Sequence, residues 1–256
     1  TTGSHNTALG CWALTNNTTG AANVSIGQNS LFDNTTGDFN VAVGYQALYD
    51  HTTGDNSVAV GRNSLYVCTT GNHNVAVGCA SAYYLTTGTH NTAIGTDAGQ
   101  SLTTGGGNLL LGRQAGMTSS PSGIINTSNN VVCLGNNDIT SLYCKVSTIQ
   151  TSDIRDKTDI NDFKHGLSWV EKLRPITYKW DMRSNYEDGV PDGSKKEEKL
   201  NLGFIAQEEL EIEKQHGFAN DANDMLLVNE NADGNYGMHY DRIVPILVNA
   251  IKELSS

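Results

Sequence analysis

Hydrophobic and polar positions over the first 112 residues repeat instead of varying. Thr-Thr-Gly stands at residues 1, 18, 35, 52, 69, 86 and 103, a 17-residue period held seven times without an insertion. The sixth position of each unit is Asn6, Asn23, Asn40, Ser57, Asn74, Asn91 or Asn108. After it comes a triplet in which apolar or β-branched residues mostly flank a small one, and then a glycine, as in Val41-Ala42-Val43-Gly44. A second short element ends in Ala13-Leu14, Ser30-Leu31, Ala47-Leu48 and Ser64-Leu65. Alternation with period two predicts strand, and Gly supplies turn angles that other residues resist. Each unit therefore reads as strand, Gly turn, strand and Thr-Thr-Gly turn. An uninterrupted short period predicts a solenoid, in which each unit buries its apolar face only against its neighbours.

So thin a coil hides little surface by itself. The repeated Ala, Ser and Gly suit close packing of several chains about an axis, and a trimer is expected. The periodic Asn and Thr residues either form hydrogen-bonded ladders within the stack or bind glycans outside it. Strict periodicity favours the ladder.

After Met117 the period dissolves into Thr118-Ser119-Ser120-Pro121-Ser122-Gly123, a linker by composition. Val131–Gly135 reads as a last, degenerate coil and Leu142–Val146 as a strand. Beyond residue 152 the pattern is that of a mixed domain. A short helix is predicted over Leu167–Leu173, stopped by Arg174-Pro175, and a strand over Ile176–Trp180. A polar loop covers 183–200. A strand over Leu202–Ala206 flows into a helix over Gln207–Gln215. Met225–Val228 and Tyr236–Tyr240 suggest a hairpin across Asp233-Gly234. An amphipathic helix from Asp241 to Leu254 carries Ile243, Val244, Leu247, Ala250, Ile251 and Leu254, a spacing that suits a three-helix contact on an axis. The division expected is a solenoid shaft over 1–117, a linker with last shaft strands over 118–151, and a separate domain over 152–256.

Charge sharpens that division. Residues 1–151 hold three basic side chains (Arg62, Arg113, Lys145) and six acidic ones, whereas residues 152–256 hold 13 basic and 21 acidic. Neither half is a basic surface, which argues against nucleic-acid binding. Low hydrophobic content (38%), few charged residues (17%) and 27 glycines describe a surface-rich β structure better than a compact enzyme core. No apolar run reaches the ~20 residues of a membrane-spanning helix, and no signal peptide is visible. The sequence opens inside a repeat, so it is expected to be a piece of a longer chain. Cys11, Cys68, Cys79, Cys133 and Cys144 form no C-x-x-C pair and read as buried free thiols used as small apolar fillers. His165, His216 and His239 lack metal-ligand spacing and read as structural. Gly-rich phosphate loops and paired-carboxylate motifs are absent, so no metal or cofactor is expected.

The change of composition is centred on Thr151-Ser152-Asp153-Ile154-Arg155-Asp156-Lys157. A Ser hydroxyl becomes a nucleophile when a base takes its proton, and a Lys is such a base once it is neutral. An arbitrary Ser and Lys five residues apart are more simply a solvated junction. This pair gains weight from its position on the compositional boundary and from the residues downstream. Ser152-Asp153-Ile154-Arg155-Asp156-Lys157 is similar to the S-D-x-R-x-K start of the intramolecular chaperone domain of endosialidases and phage tail spikes (peptidase family S74), which also occurs in the eukaryotic myelin regulatory factor. Leu173-x-Pro175-x-x-Tyr178-x-Trp180, Gly203-Phe204-Ile205-Ala206-Gln207-Glu208 and Tyr240-x-x-Ile243-x-Pro245-x-Leu247 come next in the family's order. The repeats of residues 1–116 resemble the heads of trimeric autotransporter adhesins and the shafts of phage tail fibres through their N-[VT]-A-[VI]-G cores, though with a different period.

The resemblance implies a largely helical, trimeric α+β clamp that holds three shafts in register and then cuts itself off as a single-turnover serine endopeptidase. Carried over, Ser152 is the nucleophile and Lys157 the base, with Asp153 and Arg155 in supporting roles. The Ser152 hydroxyl closes a five-membered ring on the preceding carbonyl but a strained four-membered one on its own. That favours cleavage between Thr151 and Ser152, although attack from another subunit would remove the constraint and leave either side of Ser152 open. The implied setting is a virion tail fibre or spike, homotrimeric, with a host-surface glycan or protein as a possible receptor. A non-cleaving, adhesive trimeric fibre is the rival.

Overall fold

The structure is a computed structural model that describes residues 2–139, 141–142, 152–230 and 234–256. Its two compact units cover 1–140 and 141–256. The expected strand from Leu142 to Val146 lies, from Tyr143 on, outside the described residues, as do Cys144, Lys145, Thr151 and Asp233.

The first unit is a parallel β-solenoid. Its strands are β1 (Thr7–Leu9), β2 (Val24–Ile26), β3 (Val41–Val43), β4 (Val58–Val60), β5 (Val75–Val77), β6 (Thr92–Ile94), β7 (Leu109–Leu111) and β8 (Val132–Leu134). They pair in sequence order, so that Val41, Ala42 and Val43 stand over Val58, Ala59 and Val60. The middle residue of each strand from β2 to β8 points inward and is buried. Ala42, Ala59, Ala76, Ala93 and Leu110 line a narrow core with Leu31, Leu48, Leu65, Leu85 and Leu102. Where leucine fills the opposite corner, as at Leu31, Leu48 and Leu65, the strand side has room for little more than a methyl group; Leu110 fits because Gly99 and Gly116 leave space beside it.

The periodic asparagines form the internal ladder. Asn40 Nδ2 donates to Gly54 O at 2.8 Å, and its Oδ1 accepts the Ser57 N–H of the next coil at 2.9 Å. Asn23, Asn74, Asn91 and Asn108 repeat the arrangement, all buried. Ser57 holds the place of Asn with longer bonds, accepting from Asn74 N at 3.3 Å. On the corner, the first Thr hydroxyl of each Thr-Thr-Gly from Thr18 to Thr103 donates to a carbonyl of the next coil. Side-chain bonds of this kind satisfy turn backbone groups that burial would otherwise leave without partners.

Only one strand per coil is present among the described residues, not the two expected. Leu31, Leu48 and Leu65, the ends of the expected second strand, have φ of 46° to 51°, and Asn29, Gln46 and Asn63 two residues earlier have φ of 55° to 58°. Left-handed residues bend the chain out of extension. Inter-coil bonding survives all the same, as in Leu48 N–H to Ser64 O at 3.0 Å. Gly44, at φ 139°, needs to be glycine twice over, because a Cβ there would lie 2.5 Å from the Gly61 carbonyl oxygen.

Between β7 and β8 the coil is enlarged instead of interrupted. Thr103 Oγ1 donates to Asn126 O across 23 residues, where the regular spacing is 17. Asn126-Thr127-Ser128 replaces Thr-Thr-Gly, and Ile125 and Cys133 join the core. The cysteine expectation is corrected in part. Cys68 and Cys133 are buried, but Cys11 is exposed and Cys79 half-buried, because their shared position just past the strand Gly faces outward. Burial pushes the Cys68 thiol up to about 12.

The second unit has helices α1 (Leu167–Val170), α2 (Ala206–Gln215) and α3 (Ile243–Leu254). It has two antiparallel pairs, β9 (Ile176–Tyr178) with β10 (Asn201–Gly203), and β11 (Val228–Glu230) with β12 (Tyr236–Met238). Helix is thus less extensive than the resemblance implied. Trp169 of α1 is the centre of the core, packed with Ile212, Leu227 and Ile246. His216 stacks on its ring at 4.6 Å, and the indole Nε1 donates to Glu209 Oε1 at 2.7 Å. His165 packs against the same tryptophan. Gly166 permits the close crossing of α1 and α3, since a Cβ would meet Ala250 N at 2.5 Å. Glu253 caps the crossing by accepting the Leu167 N–H at 2.8 Å.

Two buried carboxylates lie one turn apart on α2. Glu213 accepts the N–H groups of Leu226, Leu227 and Val228 at 2.7–2.9 Å, so backbone donors take the place of water around its charge. Glu209 has only the indole on Oε1, and Oε2 has no partner. Burial, and secondarily the Glu213 charge, raise its carboxyl above the ordinary range while the indole bond opposes them. A carboxyl raised by folding contributes most below its ordinary value, and the contribution is lost as pH climbs through the folded value.

Both buried networks can be tested through stability. Asn40→Ala should lower unfolding free energy by about 2–4 kcal/mol, as it strands one buried donor and one acceptor, while exposed Thr53→Ala should change it by under ~0.5 kcal/mol; equal shifts in urea titrations would refute the ladder's role. Glu209→Gln should raise the urea midpoint at neutral pH, with the gain vanishing once pH falls below the ordinary carboxyl value of 4.5; a gain independent of pH would contradict the account of Glu209.

Candidate functional site

At the start of the second unit a single 3-10 turn, Ile154–Asp156, organises the residues singled out in the sequence. Asp153 sits before it in extended conformation, and its carboxylate accepts the Arg155 N–H at 2.9 Å. This is the capping that a short polar side chain provides at a helix start. The Arg155 guanidinium returns onto the same carboxylate, with Nε at 3.0 Å from Oδ1. These bonds, the guanidinium first and the backbone N–H second, hold the Asp153 carboxyl below the usual range. On the far side the Lys157 N–H donates to Ile154 O at 3.2 Å and closes the turn.

The consequence is geometric. Ser152 and Lys157 flank the turn, and Lys157 Nζ lies 2.7 Å from Ser152 Oγ. Asp153 and Arg155 set the turn that brings the pair together and are not hydrogen-bonded to it. Their ion pair is solvent-facing, with 84% of the Arg155 side chain exposed, so water screens it and its role is to shape the turn more than to stabilise the fold. Ser152 and Lys157 are exposed as well. A protonated Lys157 donates to the hydroxyl and holds its lone pair; a neutral one would accept the hydroxyl proton and leave an alkoxide-like nucleophile.

Other sequence landmarks have packing roles. Glu208 of the Gly203–Glu208 stretch is bridged by Arg174, which precedes Pro175, through Nε at 3.0 Å and Nη2. Tyr240 places its hydroxyl over Gly203 and accepts the Phe204 N–H at 3.1 Å. The segments Leu173–Trp180, Gly203–Glu208 and Tyr240–Leu254 are therefore one packed scaffold. Sequence reasoning missed the Trp169–Glu209 bond and the Glu213 clasp. In Ala-Gln-Glu-Glu-Leu-Glu-Ile-Glu-Lys-Gln nothing distinguishes the two buried glutamates from half-buried Glu208 and exposed Glu211 except their four-residue spacing. Among the described residues no cluster of three or more His, Cys, Asp or Glu side chains is arranged to hold a metal ion. No described helix is long and apolar enough to cross a membrane.

Comparison with family models matches residues 152–218 to Peptidase_S74, described as the chaperone of endosialidase. Comparisons with curated proteins and with solved structures gave no match. The family match begins at Ser152, contains the whole Ser152–Lys157 turn and the Gly203–Glu208 stretch, and stops before the hairpin and α3. Residues 152–218 are accordingly similar to the chaperone of endosialidase, and the parallel β-solenoid that precedes them in the chain is consistent with a tail-fibre shaft.

Proposed function

We propose that this chain is part of a homotrimeric tail fibre or spike of a virion. Its 152–256 module aligns three shafts during folding and then detaches by cutting the Thr151–Ser152 bond. The observation that carries the reading is the 2.7 Å contact between Lys157 Nζ and Ser152 Oγ at the first residue of the family match. Ser152 Oγ attacks the Thr151 carbonyl carbon while its proton passes to neutral Lys157. Collapse of the tetrahedral intermediate breaks the C–N bond, and the proton returns to the leaving amine. An ester then joins Thr151 to Ser152 Oγ, and water hydrolyses it to a free acid and alcohol.

A physical need stands behind such a device. Aligning repetitive strands from three chains is slow, since non-local contacts must be ordered before burial compensates. A 17-residue period offers many slipped registers of similar energy. A compact module with a unique core removes that degeneracy. Its removal after assembly leaves the shaft without the element that could lead it back along the same path. Receptor binding, to a host-surface glycan or protein, belongs to the shaft on this reading.

A rival reading, a trimerising domain that never cuts, is favoured by the exposure of Ser152 and Lys157 in a single chain. A lysine is a base only after losing its proton, which desolvation promotes. In the cutting reading the assembled trimer supplies that cover. Purified full-length chain should convert to fragments 1–151 and 152–256, resolved by mass spectrometry. Ser152→Ala and Lys157→Met should abolish conversion, and Asp153→Ala should slow it by roughly tenfold, because the turn loses its cap and its guanidinium anchor. Intact wild-type chain under assembling conditions would leave only the non-cutting domain. A monomeric wild type by sedimentation would remove both.

A further inference from the structure

The outward face of the solenoid sheet is aliphatic at all but two positions. The first and third residues of β1–β8 make sixteen positions, of which only Thr7 and Thr92 are polar and none is charged. These side chains are not needed for the coil interior, which the middle residue fills. Nevertheless Ile94 is 42% and Leu134 44% exposed. The remaining outward columns are different in kind. One carries Asp33 and Asp50, another Asp38 and Asp55, and a third Arg62 and Arg113, whereas the strand face of this acidic chain holds no charge.

From the geometry we infer that this strand face is the surface by which shafts pack on one another, each against further copies of the same chain. The inference rests on the homotrimeric reading above and specifies its contact. Strands stacked at about 4.8 Å make a ribbon about 34 Å long over seven steps and two side chains wide, a patch of a few hundred Å², the size that is often functional on a protein surface. Its ridges repeat at the strand spacing. A helix cannot match that pitch along its whole length, whereas another stacked parallel sheet does so at every coil, with sheets about 10 Å apart. A second copy offers that pitch, the same aliphatic chemistry and no charge to desolvate. Contact through the column of Asp33 and Asp50, or through that of Asp38 and Asp55, would bring the Asp residues of one copy against those of another.

The test uses full-length chain carrying Cys11→Ser, Cys79→Ser and Cys144→Ser. Ile94→Cys and Thr96→Cys are compared, since both positions are exposed in the single chain. In the trimer, maleimide should modify the Ile94→Cys thiol at least about tenfold more slowly than the Thr96→Cys thiol, because reaction at the former requires the interface to open. Adding Val43→Lys with Val60→Lys, which point outward and leave the coil interior unchanged, should abolish that protection while the β circular dichroism persists. A sedimenting trimer in which both thiols react equally fast overturns this inference and leaves the trimeric reading standing. Protection that survives the two lysines in a folded chain overturns it as well. A monomeric parent chain overturns both readings.

Discussion

Stacking each coil on an equivalent coil is the constraint from which the solenoid derives. Once the same residue stands above itself at the strand spacing, every side chain must tolerate its own copy as a neighbour. Asparagine does so with profit, because its amide both donates and accepts and can pass hydrogen bonds from coil to coil, as Asn23, Asn40 and Asn74 do. Glycine at position 44 and its equivalents does so because neighbouring backbones approach too closely for a methyl group. Aromatic residues do so by stacking, with Phe32, Tyr49, Tyr66 and Tyr83 forming a column at 5.0–5.2 Å between rings. A repeat that satisfies this rule is stable anywhere along the stack and is therefore blind to its own register.

The second unit answers to a different rule. Its core is aperiodic and closes around one fully buried tryptophan. The polar groups inside it are specific to their partners. Glu213 is matched to three consecutive N–H groups, and Glu209 to the Trp169 indole. A buried carboxylate tied to a particular set of donors is intolerant of displacement, since any shift leaves charge without solvation. Such a unit has one arrangement where the solenoid has many near-equivalent ones. The contrast gives a chain in which repetitive and unique elements are complementary.

The chemistry attributed to the junction needs very little structure. One 3-10 turn, capped by Asp153 and closed by Lys157 N–H, is enough to set Ser152 and Lys157 within hydrogen-bond distance. What a turn of this kind cannot supply is desolvation, which takes many atoms from elsewhere. A site that is geometrically ready and still wet is compatible with activity that waits on assembly.

Much of this was legible in the sequence because repetition and short-range patterning are local. The 17-residue period, the strand at Val41–Val43, the internal role of the asparagines, the helix at Ala206–Gln215 and the hairpin of β11 with β12 were all readable from spacing alone. Other features depended on three dimensions. Leucine disfavours the left-handed region, yet Leu31, Leu48 and Leu65 adopt it, because inter-coil bonding and burial together outweigh the local preference and abolish the expected second strand. The segment after Met117 lacks the repeat but still completes a wider coil, since the stack needs only a carbonyl at Asn126 and a strand at β8. Cys11 and Cys79 share a column whose direction no composition could give. Ser152 and Lys157 were recognisable as a pair, but their 2.7 Å separation belongs to the turn between them. Sequence by itself determined which residues recur and hence what could stack. Tertiary structure decided which way each side chain points and which carboxylates are buried, because direction and solvation depend on neighbours that are distant along the chain.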